Sequence, residues 1–442
     1  MKTPISDFIN SYIKSDFSRF HMPGHKGIGP LGFEQYDITE IDGADVLYLA
    51  DGIINESENN CSSLFKTQHS FYSTSGSTLA IYAMLALLKK SGEKPLILAA
   101  RNCHKAFINA CALLDFDIEW IIPENFVHIC RCDIDENLVD EAIINAKRTP
   151  TAVYITSPDY LGNLQDISKI SAVCKKHNIP LLCDNAHGAY LAFLKDSLHP
   201  IHLGATMCCD SAHKNLPSLT GGAYLHISKD APYEYVNNAR DMLSVFSTTS
   251  PSYLILQSLD LLNKYLSESF KDELDSCIKK VDELKENIKK SGFEVLKTEP
   301  LKIVINANKS GYTGFELAKI LRDKKIEPEF CDREFLVLMV SPKNTESDFL
   351  KLLSCFKDLP VKAPINTTPI AFPKINTVCS VRDAIFSESE IVDISNACGR
   401  ICSSPLVSCP PAVPIVMSGE EITPKAIELF KFYNISKIKV LK

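Results

Sequence analysis

Between Ser73 and Ser228 the chain alternates two apolar patterns. In "DENLVDEAIINAKR" and "ISKISAVCKKHN" the apolar residues are spaced for a helix buried along one side, and "STLAIYAMLALLKKSG" and "AFINACALLD" also read as helices. Between them lie short, nearly continuous apolar runs: "KPLILAARNCH", "DIEWIIP", "TAVYITSP", "IPLLCDNAH", "ATMCCDSAH" and "GGAYLHIS". Such runs are strands covered on both faces. Strands separated by amphipathic helices predict an α/β fold with a mostly parallel sheet. In that architecture ligands bind beyond the carboxyl ends of the strands. The polar groups of "RNCH", "TSPDYLGN", "DNAHG" and "DSAHK" all follow apolar strands, so they are expected on one rim.

After Pro251 a long amphipathic stretch runs through Leu254, Leu262, Leu266, Phe270, Leu274, Val281 and Ile288, which predicts one or two helices. "LKIVINA", "GFELAKILRDKK", "FLVLMVS" and "ESDFLKLLSCF" then predict a smaller α/β layer, and "LPVKAPINTTPIAFP" a proline-punctuated connection to a final segment. The expected division is an N-terminal arm over 1–60, a large domain over 61–288 and a C-terminal small domain over 289–442.

Composition narrows the classes. A chain of 442 residues with 45% hydrophobic and 23% charged residues has the make-up of a globular enzyme. A formal charge of −7 gives no electrostatic footprint for nucleic acid or an anionic membrane. No run has the length of a signal peptide core or a membrane span, so a cytoplasmic location is expected. The 16 cysteines include no C-x-x-C pair, and Cys174, Cys183, Cys208 and Cys209 sit in apolar runs. They read as reduced and buried. His21 and His25 are four apart, but Pro23 and Gly24 between them break any shared helical face. No metal site is expected.

The rim carries the candidate chemistry. Asp184 ends one strand, Lys214 follows another in "DSAHKNLPSLTGG", and His104 follows a third. "TSGST" opens a helix, where backbone N–H groups and hydroxyls can hold a phosphate. A phosphate cradle, an amine and a carboxylate are the requirements of pyridoxal 5'-phosphate: the amine forms a Schiff base and the carboxylate keeps the pyridine nitrogen protonated. The His104 imidazole can stack on such a ring, and Ala186 is small enough to lie under its other face.

The chain resembles the bacterial ornithine/lysine/arginine decarboxylase family of pyridoxal-phosphate enzymes, in its short form. "FHMPGHKG" and "DITEIDGADVLYLADGIINESE" resemble the family's N-terminal signature. "TSGSTLA", "RNCHKA", "SPDYLGN", "DNAHGAY", "DSAHKNLPSLTGGAYLH" and "TTSPSYLILQSLD" follow in the family's order, and "SVRDAIF" and "GRICSSPLVSCPPAVPIVMSGEEI" resemble its C-terminal domain. Only the region near 270–350 lies outside the resemblance. It implies the aspartate-aminotransferase fold, with Lys214 as the Schiff-base lysine. Ser211 and His213 would contact the phosphate, and Gly76, Ser77 and Thr78 would complete the cradle. His104 would stack on the ring, and Asp184 would pair with the pyridine nitrogen. His187 would stand by the phenolic oxygen or the substrate carboxylate. The implied activity is decarboxylation of arginine, lysine or ornithine by a homodimer or larger homo-oligomer.

Three departures bear on that expectation. Ser404 stands where the family has an acidic residue associated with the distal end of the substrate. Cys409 and Ala412 replace a Tyr and a Gly, and "DNAHG" has Asn185 where a Glu is usual. Without the acid at 404, another carboxylate must face the substrate's distal cation, and the N-terminal signature offers Asp42, Asp45 and Glu58. The same departures leave open another reaction on an amino acid, such as transamination, aldol cleavage or elimination. A non-catalytic cofactor-binding protein is the contrasting class, and keeping both Lys214 and Asp184 argues against it.

Overall fold

The computed structural model describes residues 1–90, 92, 94–124, 128–366, 372–405 and 412–442. Seven strands form the major sheet: β1 (His69–Ser73), β2 (Leu96–Ala100), β3 (Asp117–Ile121), β4 (Ala152–Thr156), β5 (Leu181–Asp184), β6 (Met207–Asp210) and β7 (Ala223–Ile227). Every apolar run expected as a strand of that sheet is one, and each expected helix lies between its strands. The stretch after Pro251 becomes two helices, Tyr253–Glu268 and Phe270–Lys290, separated at Ser269. No described helix is long and apolar enough to cross a membrane. The chain forms two compact units, Met1–Lys89 with Cys174–Glu273, and Lys90–Val173 with Leu274–Lys442.

In the first unit the strands lie in the order β1-β7-β6-β5. β5 and β6 are parallel, whereas β7 is antiparallel to both β6 and β1. The antiparallel step follows from the connection between β6 and β7: the chain turns back at Gly221, so no crossover is available to make them parallel. Gly221 holds φ +96°, and a Cβ there would stand 3.0 Å from the Thr74 carbonyl oxygen. The polar strand "HSFYS" was absent from the sequence expectation. It is buried because its polar groups are paired: Ser70 Oγ meets His226 Nδ1 at 2.7 Å and Thr67 Oγ1 at 2.7 Å. Three helices are tied by Asp260, which accepts from Ser57 Oγ at 2.6 Å and from the Ser6 N–H at 3.0 Å.

The second unit holds β4-β2-β3, all parallel. It also holds a four-stranded antiparallel sheet over 294–339 and a three-stranded one built from 389–393, 402–404 and 437–441. Asp159, in the loop after β4, is fully buried there. Its Oδ1 accepts the Asn163 N–H at 2.9 Å, and Lys302 Nζ lies 3.3 Å from its carbonyl oxygen. Burial pushes its carboxyl up to about 7, against the opposing pull of that N–H and of Lys302. The folded chain therefore holds this proton more tightly than the unfolded chain. Between roughly pH 4 and 7 unfolding releases the proton, so stability falls as pH rises, by up to about 1.4 kcal/mol per unit. Asp159→Asn keeps the shape without the charge. Thermal melts from pH 4 to 8 should show a flatter pH dependence and a higher Tm at pH 8 for the variant. Parallel curves for the two proteins would refute the assignment.

Candidate active site

The first unit brings most of the sequence-selected residues together. Asp184 ends β5 at 3% exposure, and its Oδ1 accepts the Ala186 N–H at 3.2 Å and the Cys209 thiol at 3.5 Å. Parallel pairing sets Asp184 opposite Cys209, so the loops leaving β5 and β6 emerge side by side. Ala186 and His187 lie on the first loop, both buried. Ser211, His213 and Lys214 lie on the second, around the short helix Ala212–Asn215. Across the two loops Lys214 Nζ meets His187 Nε2 at 3.1 Å. As an ammonium, Lys214 would donate there to an unprotonated Nε2.

A third segment completes the anion end. Ser75, the N-cap of helix Gly76–Ala86, makes no side-chain capping bond, so the N–H groups that follow Gly76 face the end of the helix. Gly76 holds φ +71° and gives its N–H to the Gly221 carbonyl at 2.8 Å, so it contributes the turn. Ser77 Oγ accepts from Ser211 Oγ at 2.8 Å, which fastens the helix start to the loop after β6; Thr78 is exposed one position on. His213 Nδ1 donates to the Gly222 carbonyl at 2.9 Å. Burial lowers the affinity of that ring for a second proton, and the neighbouring Lys214 cation adds to the effect. An anion placed against Nε2 would reverse this and draw a proton onto the ring.

These groups suit a flat ligand with an anion at one end and a basic ring nitrogen at the other. The uncapped helix start and the serine pair serve the first, and the Asp184 carboxylate serves the second. Lys214 is the one lysine between β6 and β7. The residues present therefore fit pyridoxal phosphate.

His104 belongs to the second unit, where it caps helix Lys105–Leu114 by accepting the Ala106 N–H on Nδ1 at 3.1 Å. The Lys105 N–H beside it donates to the Ala412 carbonyl at 3.0 Å. Ala412 holds φ +56°, a left-handed conformation natural to the glycine it replaces. Ser404 is half-buried at the end of a strand, and Cys409 lies outside the described residues.

The three acids weighed for the substrate's distal cation part company. Glu58 is fully buried and committed: it pairs with Arg240 at 2.5 Å and His69 at 3.1 Å, and accepts the Tyr72 N–H at 2.9 Å. Asp45 accepts the N–H groups of Val46, Gly52 and Ile54 within 3.0 Å, serving the start of helix Ile53–Phe65. Asp42 is exposed. His21 and His25 pair separately, with the Tyr12 hydroxyl at 2.6 Å and Asp37 at 3.3 Å.

Sequence reasoning missed Asp210, the last residue of β6. Its buried carboxylate accepts from Asn185 Nδ2 at 2.7 Å and His199 Nε2 at 2.9 Å. Burial works to raise this carboxyl, but the His199 and His226 rings beside it outweigh burial and hold it below the ordinary range. Its place at a strand end one residue before Ser211 was the available signal; nothing local marks His199.

Comparison with known proteins bears on the family and the fold. The family described as Orn/Lys/Arg decarboxylase, major domain, matches residues 3–305, and its C-terminal domain matches residues 370–438. The chain is 28% identical to an arginine decarboxylase of Halalkalibacterium halodurans, over 99% of this chain and 95% of that one. It is 27% identical to an arginine decarboxylase of Bacillus subtilis, over 97% and 93%. Among solved structures, the constitutive lysine decarboxylase of E. coli superposes with a TM-score of 0.81 at 17% identity, covering 100% of this chain and 82% of that one. That likeness concerns the fold, which is the pyridoxal-phosphate fold expected from the sequence.

Proposed function

Because the chain belongs to the Orn/Lys/Arg decarboxylase family, we propose that it uses pyridoxal 5'-phosphate to decarboxylate a basic amino acid, with arginine the first substrate to test. The observation that carries this reading is the Lys214 Nζ–His187 Nε2 contact of 3.1 Å, between the loop that follows Asp184 and the loop that carries Ser211. When bound, the cofactor supplies an electron sink for the pair left at Cα as CO₂ departs. The protein's part is placement and protonation. Ser211, Ser77 and the helix start hold the phosphate, and Asp184 holds a proton on the ring nitrogen. His187 accepts from the Lys214 amine and keeps it aimed at the reacting carbon. His104 is assigned the ring-stacking role on the resemblance.

The N-terminal arm supports a homodimer. Phe17, Phe20, Ile28, Leu31 and Leu49 are all more than 60% exposed, an apolar surface suited to a second copy of the chain. A single preparation tests both parts. Saturated with pyridoxal phosphate, it should release CO₂ from at least one of arginine, lysine and ornithine and not from alanine, and it should sediment as a dimer or larger. Transamination or elimination products with no CO₂ would replace the decarboxylase reading. A fully active monomer would remove the dimer.

A further inference from the structure

The Asn185–Asp210 contact lies where it controls the spacing of the two loops. The last backbone rung between β5 and β6 runs from the Asn185 N–H to the Cys209 carbonyl at 3.0 Å. One step beyond, Asn185 Nδ2 donates to Asp210 Oδ1 at 2.7 Å, with both residues at 0% exposure. Asp210 is held from its other side by His199 Nε2 at 2.9 Å, with His226 Nε2 at 3.3 Å. The Asn185 amide is confined as well: a Cβ on Gly188 would stand 2.0 Å from its Oδ1. The glycine at 188 leaves that oxygen its place.

We propose that Asn185 and Asp210 are a positioning pair, which locks the strand end bearing Asp184 and His187 to the strand end bearing Ser211 and Lys214. The inference deepens the proposed function and rests on its placement of Lys214. The pair touches no reacting atom. It extends the ladder by one side-chain rung, at the level where backbone pairing stops and the reactive loops begin. The arrangement requires a neutral donor at 185 opposite an ionised acceptor at 210, because two carboxylates at this separation repel strongly when both are buried.

The test reverses the bond. Asn185→Asp should lower kcat at least about 100-fold, with KM for the amino acid changed less than about threefold, and weaken cofactor binding about tenfold or more. In the double variant Asn185→Asp, Asp210→Asn, the new amide donates to the new carboxylate and still offers an oxygen to His199. Its kcat should return to within about tenfold of wild type. Asn185→Ala, which adds no charge, covers the case in which Asn185→Asp does not fold, and should lose about tenfold in kcat. A second readout needs no cofactor: the rate at which Lys214 of the cofactor-free protein is labelled by an amine-specific reagent, read by peptide mapping. It should change at least about threefold in the single variants and recover in the double one.

Folded single variants with wild-type kcat and labelling overturn the proposal, as does a folded double variant no better than Asn185→Asp. The ligand atoms of His199, Cys208 and Asp210 lie within 4.8 Å of one another. One equivalent of metal in the wild-type protein, lost in Asp210→Asn, would make Asp210 a ligand and also overturn it. Wild-type protein that neither binds pyridoxal phosphate nor turns over would instead defeat the proposed function, and the labelling series would still decide the pair.

Discussion

Lys214→Ala is expected to lower turnover at least roughly 10⁴-fold and to abolish covalent attachment of the cofactor. The two losses share a cause. In the proposed site Lys214 Nζ, set 3.1 Å from His187 Nε2, would be the amine that holds the cofactor. The anchoring groups at the phosphate end, Ser211 Oγ with Ser77 Oγ and the helix start at Gly76, remain in the variant. Cofactor should therefore still bind, more weakly and without a covalent bond. Lys214→Arg should not rescue activity, because a guanidinium stays charged and cannot act as a free amine. Borohydride reduction of the wild-type protein followed by peptide mapping should place the label on the peptide containing Lys214. A label on any other lysine, or substantial turnover by the alanine variant, would end the assignment.

What was readable in the sequence, and what was not, follows from the range of the interactions involved. Strands such as Leu96–Ala100 and Leu181–Asp184, and helices such as Ile167–Lys176, declare themselves because their apolar spacing is local. Lys214, Asp184 and Ser211 were legible for a related reason: each directly follows or ends an apolar strand, and strand ends in an α/β sheet are where ligands bind. Strand His69–Ser73 was not legible, because its polar side chains are satisfied by partners as far away as His226. Glu58 and Asp45 looked equivalent to Asp42 in the signature. Their commitments to Arg240 and to the start of helix Ile53–Phe65 appear only in three dimensions. The replacement of a usual glutamate by Asn185 could be seen as a difference, but its reason could not. The Asn185 amide donates to Asp210, 25 positions away in the sequence.

Asp184→Asn separates electronic control from binding. The carboxylate lies buried at the end of β5, oriented by the Ala186 N–H at 3.2 Å and the Cys209 thiol at 3.5 Å. In the proposed site its charge stabilises the proton on the cofactor's ring nitrogen, and that proton lets the ring accept the electron pair released as CO₂ leaves. An asparagine has nearly the same volume and can still accept the Ala186 N–H through its amide oxygen. What disappears is the negative charge, and in a buried site a charge contact of this kind is worth several pKa units to its partner. The ring nitrogen should lose its proton at neutral pH, and kcat should fall by roughly two to three orders of magnitude. The covalent bond to Lys214 and the phosphate contacts are untouched, so the cofactor dissociation constant should rise no more than about tenfold. Measuring kcat and cofactor affinity on one preparation decides the matter. Near-normal kcat would show that Asp184 does not face the ring nitrogen, whereas a kcat loss matched by loss of cofactor would make it a structural residue of the β5 loop.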